Sequence, residues 1–242
     1  MEVRNDDFWI NGVSARSIGI TTVDPLVPPP MASRRYNTYQ IGSDTDLVDA
    51  DDSFDDITYP ITMRVIGKPG SLDNSALYAF LAGARMLRLS RLKQYEFRVQ
   101  KISGITPSMR SKGNEMIYNV SFELAPWKYV ADEPEITLTS ADNVQNAGTR
   151  YCKPVYTLHL TSAEGAGSIT VNGQTVAINI PVTTGSTDFV IDSEKQIAYA
   201  GNNTIYTKYT SGIFPWMGVG QNYVTFGGIV GSVTIKRNER CY

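Results

Sequence analysis

Thirteen residues from Asp44 to Asp56, DTDLVDADDSFDD, carry seven carboxylates: Asp44, Asp46, Asp49, Asp51, Asp52, Asp55 and Asp56. Such a density could bind a cation or repel an anion. An EF-hand calcium loop needs Gly at its sixth position and Glu at its twelfth. Counted from Asp44, those positions hold Asp49 and Asp55, and Val48 at the fifth has no side-chain oxygen. The carboxylates therefore read as a self-repelling acidic loop that stays in solvent or faces a charged partner, with an adventitious metal site as the alternative.

The other reactive residue types form no constellation. His159 is the only histidine and lies inside the apolar-alternating run Thr157 to Thr161, where an isolated imidazole is structural or solvent-exposed. Asp188 and Asp192 are a pair by spacing alone, and a glycosidase needs its two carboxyls at a defined separation across a cleft. Cys152 and Cys241 lack the close spacing of a zinc or redox motif and read as two reduced thiols, with a disulfide as the alternative. Neither GxxxxGK[ST] nor GxGxxG stands at a strand-to-helix junction. Tyr199, Tyr206, Tyr209, Phe214, Trp216 and Tyr223 could stack on sugar rings if exposed together, most plausibly Tyr206, Tyr209 and Trp216, but such rings also fill sandwich cores. No cofactor is implied, and the chain does not read as an enzyme.

The elements that would position these residues are strands. The chain has 242 residues, 20 Gly, 14 Tyr and 42% hydrophobic content, which suits one large or two smaller β domains, with two preferred. Its net charge of −2 gives no general attraction for nucleic acid. Nothing in MEVRNDDFWINGV reads as a secretory signal, no run is long enough for a membrane helix, and assembly in a cytoplasm is expected.

In chain order, Phe8-Trp9-Ile10 runs into an Asn11-Gly12 turn, with Ile18-Gly19-Ile20 as the expected return. Pro25 and Pro28-Pro29-Pro30 give an extended arm or connector. Thr58 to Val65 alternates. One helix is predicted over about 74–87, capped by Asp73 or Asn74, with Leu77, Phe80, Leu81, Ala84 and Leu87 on its buried face and Arg85, Arg88 and Arg91 near its C-terminal end. Tyr95 to Val99 pairs with Ile117 to Leu124 across a long loop, and Pro126 ends the second strand. Asp132-Glu133-Pro134 marks the boundary between domains 1–133 and 134–242, the final residues returning to the first. In the second domain SITVNGQTVAI is a hairpin about Asn172-Gly173, which puts Ile169, Val171, Val176 and Ile178 on one face of a β-sandwich. Phe189, Ile191, Ile197, Tyr199 and the run Tyr223 to Phe226 continue the period of two, with turns at Asp192-Ser193, Gly201-Asn202-Asn203, Ser211-Gly212 and Gly218-Val219-Gly220.

In this order the features resemble the distal tail proteins of long non-contractile-tailed bacteriophages. The matching stretches are FWINGV with SIGI, the Pro-rich and acidic pieces, SALYAFLAGA and YNVSFELAPWKYV. In the second domain they are NAGTRYCKPVYTLHL, SITVNG, DFVIDSEKQIAYAG and GIFPWMGVGQNYVTF. The resemblance implies a mainly β protein: an N-terminal β-barrel or sandwich domain with one helix, and a C-terminal galectin-like β-sandwich. It also implies a homo-oligomer, a hexameric ring in the virion tail. That ring would join the tail tube protein to the tail-tip hub protein, meet receptor-binding or baseplate proteins, and let DNA pass through its lumen, with no membrane role. On this footing the seven Asp residues from Asp44 to Asp56 are candidates to line the channel. Pro28, Pro29 and Pro30, with Met109, Arg110 and Lys112 of the loop from Ile105 to Glu115, are candidates for ring or tube contacts. The alternative is a carbohydrate-binding module that recognises a host surface.

Overall fold

The computed structural model describes residues 6–40, 46–66, 75–109, 115–181, 187–200 and 204–242, with the backbone alone at 37–40, 46–52, 66, 108, 109 and 115. The chain forms two compact units, Met1–Ala131 with Tyr242, and Asp132–Cys241.

In the first unit the strands are β1 (Phe8–Ile10), β2 (Val13–Ser14), β3 (Ile20–Thr22), β4 (Arg34–Gln40), β5 (Asp46–Phe54) and β6 (Ile57–Ile66). Helix α1 (Ser75–Ala82) follows, then β7 (Met86–Leu89), β8 (Tyr95–Met109) and β9 (Glu115–Val130). One antiparallel sheet runs β2-β1-β7-β8-β9-β6-β3, and β4 and β5 form a separate ribbon. Its core follows from alternation. Ile57, Tyr59, Ile61 and Met63 of β6 are buried while Thr58 and Pro60 are exposed. Each meets a buried partner on β9: Leu124, Phe122, Val120 and Tyr118. A fully buried side chain of this size contributes about 1.5–3 kcal/mol, so this strand pair is the spine of the unit. Leu77 and Leu81 of α1 join the same core, and Phe80 sets its ring 6.1 Å from Phe8.

Several local expectations are corrected. The helix stops at Ala82, before Gly83, a poor helix former. Leu87 lies in β7, where it and Leu89 are buried and Met86 and Arg88 are not; a leucine at 87 fits both the helical spacing from Ala84 and the period of two to Leu89. Arg88 is thus a strand residue, its Nε donating to the Lys93 carbonyl at 2.7 Å, and Arg91 clasps Asp6 instead of a helix end. The return from Asn11-Gly12 is β2, and Ile20 opens β3 beside β6. Pro126 does not end β9. The register shifts between Phe97 and Val99, and this bulge absorbs a residue that cannot donate. Ile105 to Met109, expected within a long loop, belong to β8 and pair with Val120 to Met116. Gly104 sits at another register shift, and Pro107 lies beyond the reach of β7, where β8 is an edge.

The second unit contains β10 (Ile136–Leu138), β11 (Asp142–Asn146), β12 (Val155–Leu160), β13 (Gly165–Val171), β14 (Gln174–Ile180), β15 (Asp188–Asp192), β16 (Ile197–Ala200), β17 (Thr210–Gly212), β18 (Gly220–Gly228) and β19 (Val230–Lys236). They form two five-stranded sheets, β10-β19-β12-β15-β16 and β11-β18-β13-β14-β17, whose inner faces share one core in a β-sandwich. Asn172 and Gly173 take φ of 48° and 83°, the pair of positive values a two-residue hairpin needs, and Ile169, Val171, Val176 and Ile178 are all buried. Ser211-Gly212, expected as a turn, belongs to the edge strand β17.

Candidate functional site

The acidic stretch is a strand, not a loop. β5 pairs with β4 in the register Gln40 to Asp46, Tyr39 to Leu47, Thr38 to Val48 and Asn37 to Asp49. Pairing satisfies the backbone whatever the side chains carry. Asp44 lies outside the described residues, as do the side chains of Asp46, Asp49, Asp51 and Asp52. Asp55 accepts from Arg35 Nε at 2.6 Å on the surface, and Asp56 is exposed. Such an exposed ion pair contributes little to stability.

The proline arm is anchored from both sides. The Tyr59 hydroxyl donates to the Val27 carbonyl at 2.6 Å, and the Leu26 amide donates to Asp6 Oδ2 at 2.9 Å. Asp6 is itself gripped by Arg91, whose Nε and Nη2 reach its two oxygens at 3.0 and 2.9 Å. Burial pushes the Tyr59 phenol up to about 12, with Arg91 lowering it and Asp6 raising it. Beyond this anchor, Pro28, Pro29, Pro30 and Met31 line a cavity of about 340 Å³ with Phe97 and Tyr242. Tyr242 packs edge-on to Trp127 at 5.6 Å, and Phe54 meets the same Trp127 at 4.6 Å. Met31 is 75% exposed, an apolar side chain offered outward beside the prolines. At the far end of the β8–β9 ladder Met109 pairs with Met116, while Arg110 and Lys112 lie outside the described residues.

In the second unit the aromatic residues fall into two groups. Tyr206 and Tyr209 have ring centroids 5.6 Å apart, and Trp216 instead stacks edge-on to Tyr151, also at 5.6 Å. Tyr206 packs against the core. Among the described residues no ring pair joins the two groups, so Tyr206, Tyr209 and Trp216 do not make one stacking platform. His159 bridges neighbouring strands on the surface, Nδ1 to Asp188 Oδ1 at 2.8 Å and Nε2 to Thr234 Oγ1 at 2.9 Å. Asp192 is buried, and its Oδ1 accepts the amides of Glu194 and Lys195, each at 3.0 Å. Asp188 and Asp192 thus serve different partners. Cys152 and Cys241 are buried free thiols, and burial pushes Cys152 up to about 12. Among the described residues, no group of three or more His, Cys, Asp or Glu is arranged to hold a metal, and no helix is long and apolar enough to cross a membrane.

A buried ionic cluster joins residues that no local sequence pattern links. Arg237 lies 2.8 Å from Glu133 and 3.0 Å from Glu239, with all three side chains nearly or fully buried. Glu239 also accepts the Ala147 amide at 2.8 Å, and Arg240 reaches Glu194 at 2.7 Å. Burial raises the Glu133 carboxyl, opposed by the Glu239 amide and Arg237. Its members come from opposite ends of the unit, so no local spacing announces them.

No protein-family model matches the sequence. No curated protein matches it either. Among solved structures, the chain is similar to the Dit protein of phage SPP1, described as a paradigm of the hub adsorption apparatus in phages that infect Gram-positive bacteria. The TM-score is 0.65 at 12% identity, over 95% of this chain and 97% of that one. The likeness spans both units, and the chain therefore has the fold of a phage distal tail protein, a Dit-like fold.

Proposed function

We propose that this chain is a distal tail protein that closes, six copies to a ring, into the hub between a phage tail tube and the tail tip. The observation that carries this reading is the fold shared with SPP1 Dit over nearly the whole of both chains. The protein is then a structural part of the virion, and no chemistry is asked of it. Its partners are further copies of itself, the tube protein on one face, and the tail-tip hub with receptor-binding or baseplate proteins on the other. DNA meets it only in transit.

The surfaces described above take roles within this reading. The acidic ribbon borders the lumen, where carboxylates repel DNA phosphates and keep the exiting genome from sticking. An isolated two-stranded ribbon is marginal in water, and its open edges invite pairing with a neighbour. The proline arm and the far end of the β8–β9 ladder carry contacts to neighbouring copies or to the tube. Native mass spectrometry with particle imaging tests the assembly. A six-fold ring with a central hole is expected, and a protein that stays monomeric even when mixed with its tube and hub partners refutes it.

A further inference from the structure

The outward face of the sheet β11-β18-β13-β14-β17 is free of fixed charge. Charged residues make up 19% of the chain, yet no position whose alternation points outward from these strands is Asp, Glu, Lys or Arg. The outer face of the partner sheet differs, carrying His159, Asp188 and Lys236. What the uncharged face presents is hydroxyls, amides and one aromatic ring.

The register arranges these groups. Thr225, Thr170 and Thr175 stand side by side on β18, β13 and β14, one per strand. Thr170 and Thr175 share a hydrogen bond of 2.8 Å between their hydroxyls. Tyr223 sits two residues along β18 from Thr225 and is 53% exposed. Its backbone amide donates to Asn172 Oδ1 at 2.8 Å, which fixes the strand that bears the ring. Gln221, Thr225 and Ser168 make no side-chain hydrogen bond among the described residues, so their donors and acceptors are open to a ligand.

We infer that this face binds a neutral polysaccharide. A face without charge offers a polyanion or a charged peptide segment no ion pair, whereas its hydroxyl and amide groups are matched donors and acceptors for the hydroxyls of a hexose. The exposed Tyr223 ring supplies the flat apolar surface on which one face of a pyranose packs. Neighbouring strands lie about 4.8 Å apart, comparable to the length of one sugar unit, so a chain lying across the strands meets one threonine per residue. This site is distinct from the Tyr206, Tyr209 and Trp216 side chains.

The test is binding of the full chain to short gluco-, galacto- and N-acetylglucosamine oligosaccharides, with an anionic wall polymer as counter-probe. Tyr223→Ala, Thr170→Lys and, on the other sheet, Thr157→Lys are compared with the parent, with ring assembly read separately on each. The expected result is retention of at least one neutral oligosaccharide. Binding is about tenfold weaker for Tyr223→Ala, lost for Thr170→Lys and unchanged for Thr157→Lys. Binding to none of the neutral probes, binding to the anionic polymer alone, or wild-type affinity in Tyr223→Ala overturns the inference and leaves the hub reading untouched.

Discussion

Replacing Tyr59 by Phe removes a single atom from the anchor of the proline arm, and the structure fixes both the size and the pH dependence of the effect. The lost bond is the 2.6 Å contact from the Tyr59 hydroxyl to the Val27 carbonyl. Val27 is 64% exposed, so water can take over its carbonyl, and the loss near neutral pH is about 1 kcal/mol. The pH dependence carries more information. Burial holds the phenol at about 12, against an ordinary tyrosine value near 10. The folded protein therefore keeps this proton where the unfolded chain releases it. Its contribution is complete below about pH 10 and lost as pH rises toward 12. Two pH units correspond to an upper limit of about 2.7 kcal/mol. Urea unfolding of the parent and Tyr59→Phe at a series of pH values reads the difference. The variant should be the less stable at pH 7, with the gap closing above pH 10. A gap constant across the alkaline range refutes the argument that this phenol is held protonated by burial.

Arg237→Ala leaves the buried carboxylates of Glu133 and Glu239 without their cation and should cost about 3–5 kcal/mol, read by urea unfolding; Glu133→Gln should cost clearly less. Gly173→Val puts a branched side chain at φ of +83° in the β13–β14 turn and should cost at least about 1 kcal/mol, seen as a lower melting temperature with an unchanged spectrum. Phe122→Ala opens the middle of the β6–β9 spine and should cost about 3–5 kcal/mol, enough to show in soluble yield. On the proposed hub function, changing Asp46, Asp49, Asp51 and Asp52 together to Asn should leave ring assembly intact and slow genome delivery; delivery at the parental rate rules out the proposed electrostatic role for the ribbon.

What could be read in advance was whatever a local pattern encodes. The Asn172-Gly173 hairpin declared itself because turn chemistry and alternation agreed, and β6 because its buried face pairs with an equally apolar β9. The helix end was misread because Leu87 satisfies two periods at once. Pro107 and Pro126 looked like strand breakers because a sequence does not say where a strand becomes an edge or bulges. The acidic ribbon resembled a loop because its pairing is a backbone property that leaves no trace in side-chain hydropathy. The cluster of Glu133, Arg237 and Glu239 was invisible for a different reason: it exists only once a fold brings residues a hundred positions apart together. The uncharged outer face needed the register before its separate threonines could be seen as one row.

That cluster has a mechanical consequence. β10 opens the second unit and β19 nearly closes it, and they lie antiparallel with Ile136 opposite Ile235. Tension along the chain arrives at Glu133 and leaves near Arg240, so it loads the two strands at one shared end. Strands pulled this way open like a zip, one rung after another, and resist far less than strands slid lengthwise past each other. The Glu133–Arg237–Glu239 clasp closes the zip where opening would begin. Only after it parts does force reach β10 and β19, and the sandwich core behind them is spared until then. When the second unit is pulled by its two ends, this clasp sets the load at which it starts to yield.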